Sequence, residues 1–388
     1  MKRQHWQNAG VMYFSFAIIG LAVPVLMVRA ELTDSTQATP SVLGGAIGKS
    51  LEQQVGAGRG DKFTSGSSIY LIRRDPARSV RRGRQLFQRK FTIVQGFGPR
   101  VSNDSVGNIH ENPALGAGLV DSCAGCHGRP RGSAGAGGDV VTRPDSRDAP
   151  HLFGLGLAEM LADEITRDLR AIRSQALAQA VNGGSAVTLP LVSKGIRYGA
   201  IRALPDGSIV TADIEGVDLD LRVRPFFHHG GEFSIRGFAI GGFKDEMGLE
   251  APDPDLCRAS DPNNPIQTTT PAGLVLDPAL DKIKRPPVCS KADDGDSDGV
   301  TNEIDPALVD HMEFYLLNYF KPGTGKGSKR AKAGLRLLDE IGCTGCHIQN
   351  LRVNSDRRVA DVETASMQRR ASSTVFSQLP QCFWVRLF

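Results

Sequence analysis

Two short stretches set thiols and an imidazole at fixed spacing: Cys123-Ala-Gly-Cys126-His127 and Cys343-Thr-Gly-Cys346-His347. Two thiols one helical turn apart add to the two vinyl groups of a single haem, and the imidazole that follows comes up beneath the iron as proximal ligand. A bare C-x-x-C also serves as a redox dithiol or as half of a zinc site. Here each pair carries its own histidine, and no second thiolate pair stands at zinc spacing. The expectation is two covalent c-type haems, held by Cys123, Cys126 and His127 and by Cys343, Cys346 and His347.

A second constellation is acidic. Asp294-Gly-Asp296-Ser-Asp298-Gly299-Val300-Thr-Asn302-Glu-Ile-Asp305 follows the order of a calcium loop. Oxygens fall at positions one, three and five, glycine at six, a backbone carbonyl at seven and a carboxylate at twelve. The expected ligands are Asp294, Asp296, Asp298, the Val300 carbonyl, Asn302 and Asp305. Aspartate at twelve reaches less readily than glutamate, which points to moderate affinity suited to extracellular calcium. Asp305-Pro306 is also a helix start, N-cap then first residue, for a helix running to Phe320.

The remaining sequence must position these groups. Lys2 and Arg3 precede an uncharged stretch, Ala9 to Val28, so residues 1–30 read as a secretory signal peptide or a membrane anchor. Either reading puts the haem-bearing part in the periplasm, where thioether attachment and disulfides belong together. Residues 31–79 read as a loosely ordered leader. Gly83 to Phe87 and Gly334 to Leu338 each begin a short amphipathic helix before a haem motif, as halves of an imperfect repeat. Arg129 and Arg131 stand as candidate propionate partners in the Gly- and Pro-rich loop after the first motif. Leu157, Leu161, Ile165, Leu169, Ile172 and Ala176 recur at helical spacing and stop at Asn182-Gly183-Gly184. Residues 187–227 read as a small β-hairpin around Pro205-Asp206-Gly207, standing off the helical body, and Phe233 to Met247 as helix. Cys257 and Cys289 bracket a Pro- and Asp-rich connector and stand at a spacing that a disulfide can close. Of 388 residues, Lys and Arg number 46 and Asp and Glu 42, which leaves no basic stripe for nucleic acid.

Taken together, Phe91-Thr92 with Gln95-Gly96-Phe97-Gly98-Pro99, Ala149 to Leu157, Asp245-Glu246-Met247-Gly248, the acidic loop and Ile341-Gly342-Cys343 resemble the bacterial di-haem oxidoreductases. That family is regarded as peroxidases and is distantly similar to the di-haem cytochrome c peroxidases. The resemblance covers roughly residues 80 to 364. It implies a mainly α fold with two cytochrome c-like haem domains and a small β-hairpin insertion, at 80–250 and 306–388, joined by a connector at 251–305. It implies one relay haem, a second that meets hydrogen peroxide, and a small electron-donor protein, a cytochrome c or cupredoxin. Family members continue through a His-Asp-Gly turn that closes the second haem pocket, whereas this chain ends 41 residues after His347. The second domain is therefore expected to be incomplete.

For the distal side of the first haem the sequence favours His151 over Met247. Glu111, Glu159 and Glu246 are candidate proton shuttles. His110, His228-His229 and His311 read more simply as ordinary core or surface histidines. Two further readings stand beside the peroxidase: an electron-transfer cytochrome with both irons six-coordinate, and a thiol oxidoreductase using unmodified C-x-x-C pairs.

Overall fold

The computed structural model describes residues 62–97, 121–127, 149–318, 328–359 and 375–377, apart from positions 66, 228, 229, 265, 266, 279, 346 and 349. The N-terminal segment, His110, Glu111, Arg129, Arg131, His228, His229, Tyr319, Cys346 and Cys382 lie outside the described residues.

The chain enters through two capped helices, α1 (Ser68–Arg74) and α2 (Pro76–Gln88). The Ser67 hydroxyl accepts from the Tyr70 amide at 3.2 Å, and the Asp75 carboxylate accepts from Arg78 at 3.0 Å with Pro76 at the first helical position. Helix α2 therefore begins two turns before Gly83, where periodicity alone starts it. Ser67, Ser68, Leu71 and Ser79 are buried, so the last part of the stretch read as leader belongs to the core.

Val80, Gly83, Leu86 and Phe87 form the buried stripe of α2, and the helix they meet is α7 (Pro306–Asn318), buried along nearly its whole length. A Cβ at Gly83 would stand 2.1 Å from the His311 carbonyl oxygen, so glycine is what lets the two backbones approach. The Phe87 and Tyr315 rings meet edge to face across this crossing, centroids 5.9 Å apart. Gly156 makes a second close approach to α7, against the Leu317 carbonyl. The motif helix α3 (Cys123–His127) lies between α2 and the long helix α4 (Leu155–Gly183) in sequence. Helix α4 ends at Gly184, φ +61°, as the Asn-Gly-Gly stop requires.

Helix α5 (Ile235–Met247) packs on α7, capped by Ser234 at its start and Gly248 at its end. Its Arg236 is fully buried and joins Asp253 (2.5 Å), Asp310 (2.9 Å) and Glu313 (2.7 Å). Asp253 is in turn the N-cap of α6 (Pro254–Ala259). One guanidinium thus ties three helices, and its removal would leave three carboxylates buried without their cation.

A second core lies between α4 and an antiparallel sheet of β1 (Val187–Ser193), β2 (Ile196–Ala203) and β3 (Ile209–Val210). Leu191, Tyr198, Ile201 and Ala203 are buried on α4, so this insertion does not stand off the body. Its tight turn is Lys194-Gly195, both at positive φ, while Pro205 to Gly207 leads into β3. In the connector, β4 (Thr268–Thr269) pairs with β5 (Val275–Leu276), and the expected Cys257–Cys289 disulfide is present.

Helix α8 (Lys329–Glu340) has no buried side chain. The chain after the second motif forms β6 (Asn350–Arg352), paired with β7 (Val375–Ser377), and then runs along α4. There the Asn354 and Ser355 amides donate to Glu164, Arg357 joins Glu159 and Asp163, and Val353 is buried. Among the described residues no helix is long and apolar enough to cross a membrane.

Candidate functional site

At the first motif one helical turn sets Cys123 and Cys126 together, with His127 at its end. Cys123 and Ala124 pack on the main core, and Cys126 is buried. The two cysteines form no disulfide. Burial pushes the Cys123 thiol up to about 12, so it is a protonated thiol and a poor nucleophile, unlike the depressed thiolate of a dithiol enzyme.

His127 Nδ1 lies 2.7 Å from the Pro150 carbonyl oxygen. A carbonyl oxygen can only accept, so Nδ1 carries the proton and Nε2 presents its lone pair away from Pro150. Burial also holds the imidazole below its ordinary pKa, against the opposing pull of this hydrogen bond, which favours the neutral ring a metal needs. A ring nitrogen fixed by a backbone carbonyl is the usual arrangement behind an iron-ligating histidine. The residues therefore fit a covalent haem.

The same bond places the Pro150 carbonyl behind the imidazole. His151 is half-buried against Phe153, with its Nδ1 buried and lacking a hydrogen-bond partner. Met247 has its Sδ 3.9 Å from Cys123 Sγ, at the end of α5. His151 and Met247 both stand as candidates for the sixth ligand.

Of the carboxylate candidates, Glu246 is half-buried in the last turn of α5. Glu159 is fully buried: one oxygen accepts from the Ile235 amide at 2.6 Å, the other from Arg357 at 3.0 Å. Burial, and then Asp163, push it up to about 8. It positions the start of α5 and the segment after the second motif. His311 is a core histidine, bonded to Ser79 at 2.8 Å and pushed down by burial to about 3.

At the second motif, Cys343 to Gly345 form a single 3₁₀ turn, and the His347 amide donates to the Cys343 carbonyl at 2.8 Å. An open groove beside it is lined by Leu335, Arg336, Asp339, Thr344, His347 and Ile348. A flat macrocycle with two carboxylates suits such a lining: leucine and isoleucine for the ring, Arg336 for a propionate.

The acidic loop converges, with a different ligand set. Carboxylate oxygens of Asp294 and Asp296 gather with Glu250, and those of Asp296 and Asp298 with Glu303, each set within 4.8 Å. Asp305 does not join them, because it caps α7 through the Ala307 amide at 2.9 Å and pairs with Lys291. Val300 and Asn302 remain loop residues, with Asn302 Nδ2 turned to Asp305 at 3.4 Å. Glu250 and Glu303 were not foreseen. They lie outside the alternating positions, and only their acidity near the loop could have marked them.

No family model, curated protein or solved structure matches this chain. Its function is therefore argued from the geometry above.

Proposed function

We propose that this chain is a periplasmic di-haem c-type oxidoreductase, secreted or anchored through its N-terminus, that reduces hydrogen peroxide with electrons from a small cytochrome or cupredoxin. The observation that carries the reading is the 2.7 Å bond from His127 Nδ1 to the Pro150 carbonyl, which leaves the Nε2 lone pair of a C-x-x-C-H histidine available to a metal. Haem, when bound, supplies the one-electron chemistry. The protein's part would be to attach it through Cys123 and Cys126 and through Cys343 and Cys346, to present His127 and His347 to the iron, and to exclude water with Leu152 and its neighbours. Reduction of one peroxide to two waters takes two electrons and two protons, and two haems in one chain match that electron count.

Calcium belongs to this reading as a structural ion. Burial, and then the like charges of Asp296 and Asp294, raise the Glu250 pKa, and a divalent cation would offset that repulsion and favour the carboxylate. Asp294, Asp296 and Asp298 with Glu250 and Glu303 would hold it, next to the start of α7.

Met247 favours a second reading, an electron-transfer cytochrome, since a thioether on the first iron would leave no open position there. Steady-state peroxide consumption with a reduced donor separates the two. Saturable, donor-dependent turnover with one high-spin iron in the half-reduced protein supports the peroxidase. Two low-spin irons and no turnover would leave the electron-transfer cytochrome.

A further inference from the structure

Helices α1 and α2 carry a local excess of charge that the near balance of the whole chain hides. From Arg73 to Lys90 eight arginines and lysines stand against one carboxylate, Asp75, and that one caps α2 through the Arg78 amide. Both helices lie on the same turn of α7, where Ser68 bonds Asp310 and Ser79 bonds His311 at 2.8 Å. Their buried residues meet that turn, so their outer sides look to solvent together. Arg73, Arg74 and Arg78 are exposed there, and Arg81 follows Arg78 by one turn on the same side. Among the described residues these four make no salt bridge, whereas Lys90, just beyond α2, pairs with Asp121 at 3.3 Å. Burial, and then the charge of Arg78, hold the Arg82 guanidinium below its ordinary value, so the neighbour that acts on it is another cation. Like charges at i and i+4, as at Arg78 and Arg82, destabilise a helix, and an anionic surface laid against them would offset this.

The kind of anion follows from what the surface lacks. A protein partner is met by an apolar centre inside the charge, and none of the exposed large apolar side chains lies on α1 or α2. A bilayer of anionic lipid is bound through charge without shaped contacts. Just before α1, Phe63 is 77% exposed with the Lys62 ammonium 5.0 Å from its ring centroid. An aromatic ring beside a cation suits the headgroup layer, where the ring enters and the ammonium meets phosphate. The uncharged stretch Ala9 to Val28 enters a membrane on either reading of residues 1–30. Retained as an anchor, it ends 39 residues before Ser68 (68 − 28 − 1), which keeps α1 within about 140 Å of the bilayer even at full extension.

We infer that the outer side of α1 and α2, carried by Arg73, Arg74, Arg78 and Arg81, rests on anionic phospholipid at the membrane surface, with Phe63 in the headgroup layer. A basic patch of this kind adds to an anchor and orients what the anchor only tethers. The inference goes beyond the di-haem reading and does not depend on it.

The test mixes the chain as cells export it with vesicles of phosphatidylcholine alone, or of equal parts phosphatidylcholine and phosphatidylglycerol. Phenylglyoxal modification of each arginine is then followed by peptide mass spectrometry. On the anionic vesicles the rates at Arg73, Arg74, Arg78 and Arg81 should fall about tenfold, and they should recover as added salt shortens the Debye length from about 30 Å to about 8 Å. Arg197 and Arg202, exposed on β2, should react alike on both vesicles. Arg78→Gln/Arg81→Gln should release Arg73 and Arg74, and Phe63→Ser should weaken the protection while keeping its salt dependence. Equal protection on both vesicles would mean tethering without recognition of charge and would overturn the inference. So would protection on neither, or protection by an acidic protein or duplex DNA but not by vesicles. A haem count on the same sample reports the di-haem reading separately.

Discussion

The two halves of the repeat differ in what covers their helices. In the first, α2 is crossed by α7 over Gly83, the motif cysteines sink into the core, and a backbone carbonyl orients His127. In the second, α8 has the same amphipathic design and a glycine in the same place, yet Gly334 has open space where Gly83 has a helix. The same local sequence signals therefore give a buried, pre-oriented site in one half and an open one in the other. Local pattern makes the helix, and tertiary partners decide whether its face becomes a core.

The sharpest way to break this comparison is to make one substitution in both halves. Gly83→Ala puts a methyl group 2.1 Å from a backbone oxygen of α7 and should cost about 3 kcal/mol of unfolding free energy in chemical denaturation. Gly334→Ala should leave the chain unharmed or stabilise α8 by about 1 kcal/mol. Equal losses would show that Gly334 is covered.

Next in size is the Cys257–Cys289 disulfide, which ties α6 to the acidic loop over a separation of 32 residues. Its replacement by two serines should cost roughly 2 to 3 kcal/mol.

The third effect is on pH dependence. Glu159 is held protonated in the fold, at about 8 against an ordinary carboxyl value of 4.5. Its contribution to stability is thus complete below the unfolded value, declines as pH rises, and is lost once pH passes about 8. Glu159→Gln should flatten the stability profile between these limits, and an unchanged slope would assign it to other groups.

The smallest effects belong to the acidic loop. Calcium should raise the melting temperature of the parent chain, and Asp296→Asn/Asp298→Asn should abolish that rise. Asp305→Ala should keep the rise while lowering stability by about 1 kcal/mol through the lost cap. A rise lost in Asp305→Ala would restore that residue to the ligand set.

Much of this architecture is legible in the residues themselves. The apolar spacing of 157–176 with its Gly-Gly stop marks α4, and Asp305-Pro306 marks the start of α7. What the sequence concealed is long-range. Gly83 reads as a helix start because its role lies in a contact with a residue more than two hundred positions later. Glu250 joins Asp294 and Asp296 across the connector, and Pro150 orients His127 through a backbone oxygen that any residue would possess. The sheet packs on α4 because its inward residues match a stripe whose partner the periodicity could not name.

On the proposed function this chain carries haem on both motifs, with the His127 Nε2 lone pair facing the iron. The most direct test is the intact mass and pyridine haemochrome of the chain matured with c-type haem attachment, beside Cys123→Ala/Cys126→Ala. Two covalent haems in the parent and one in the variant are expected. A parent chain without covalent haem, from cells that mature a control cytochrome, would contradict the claim.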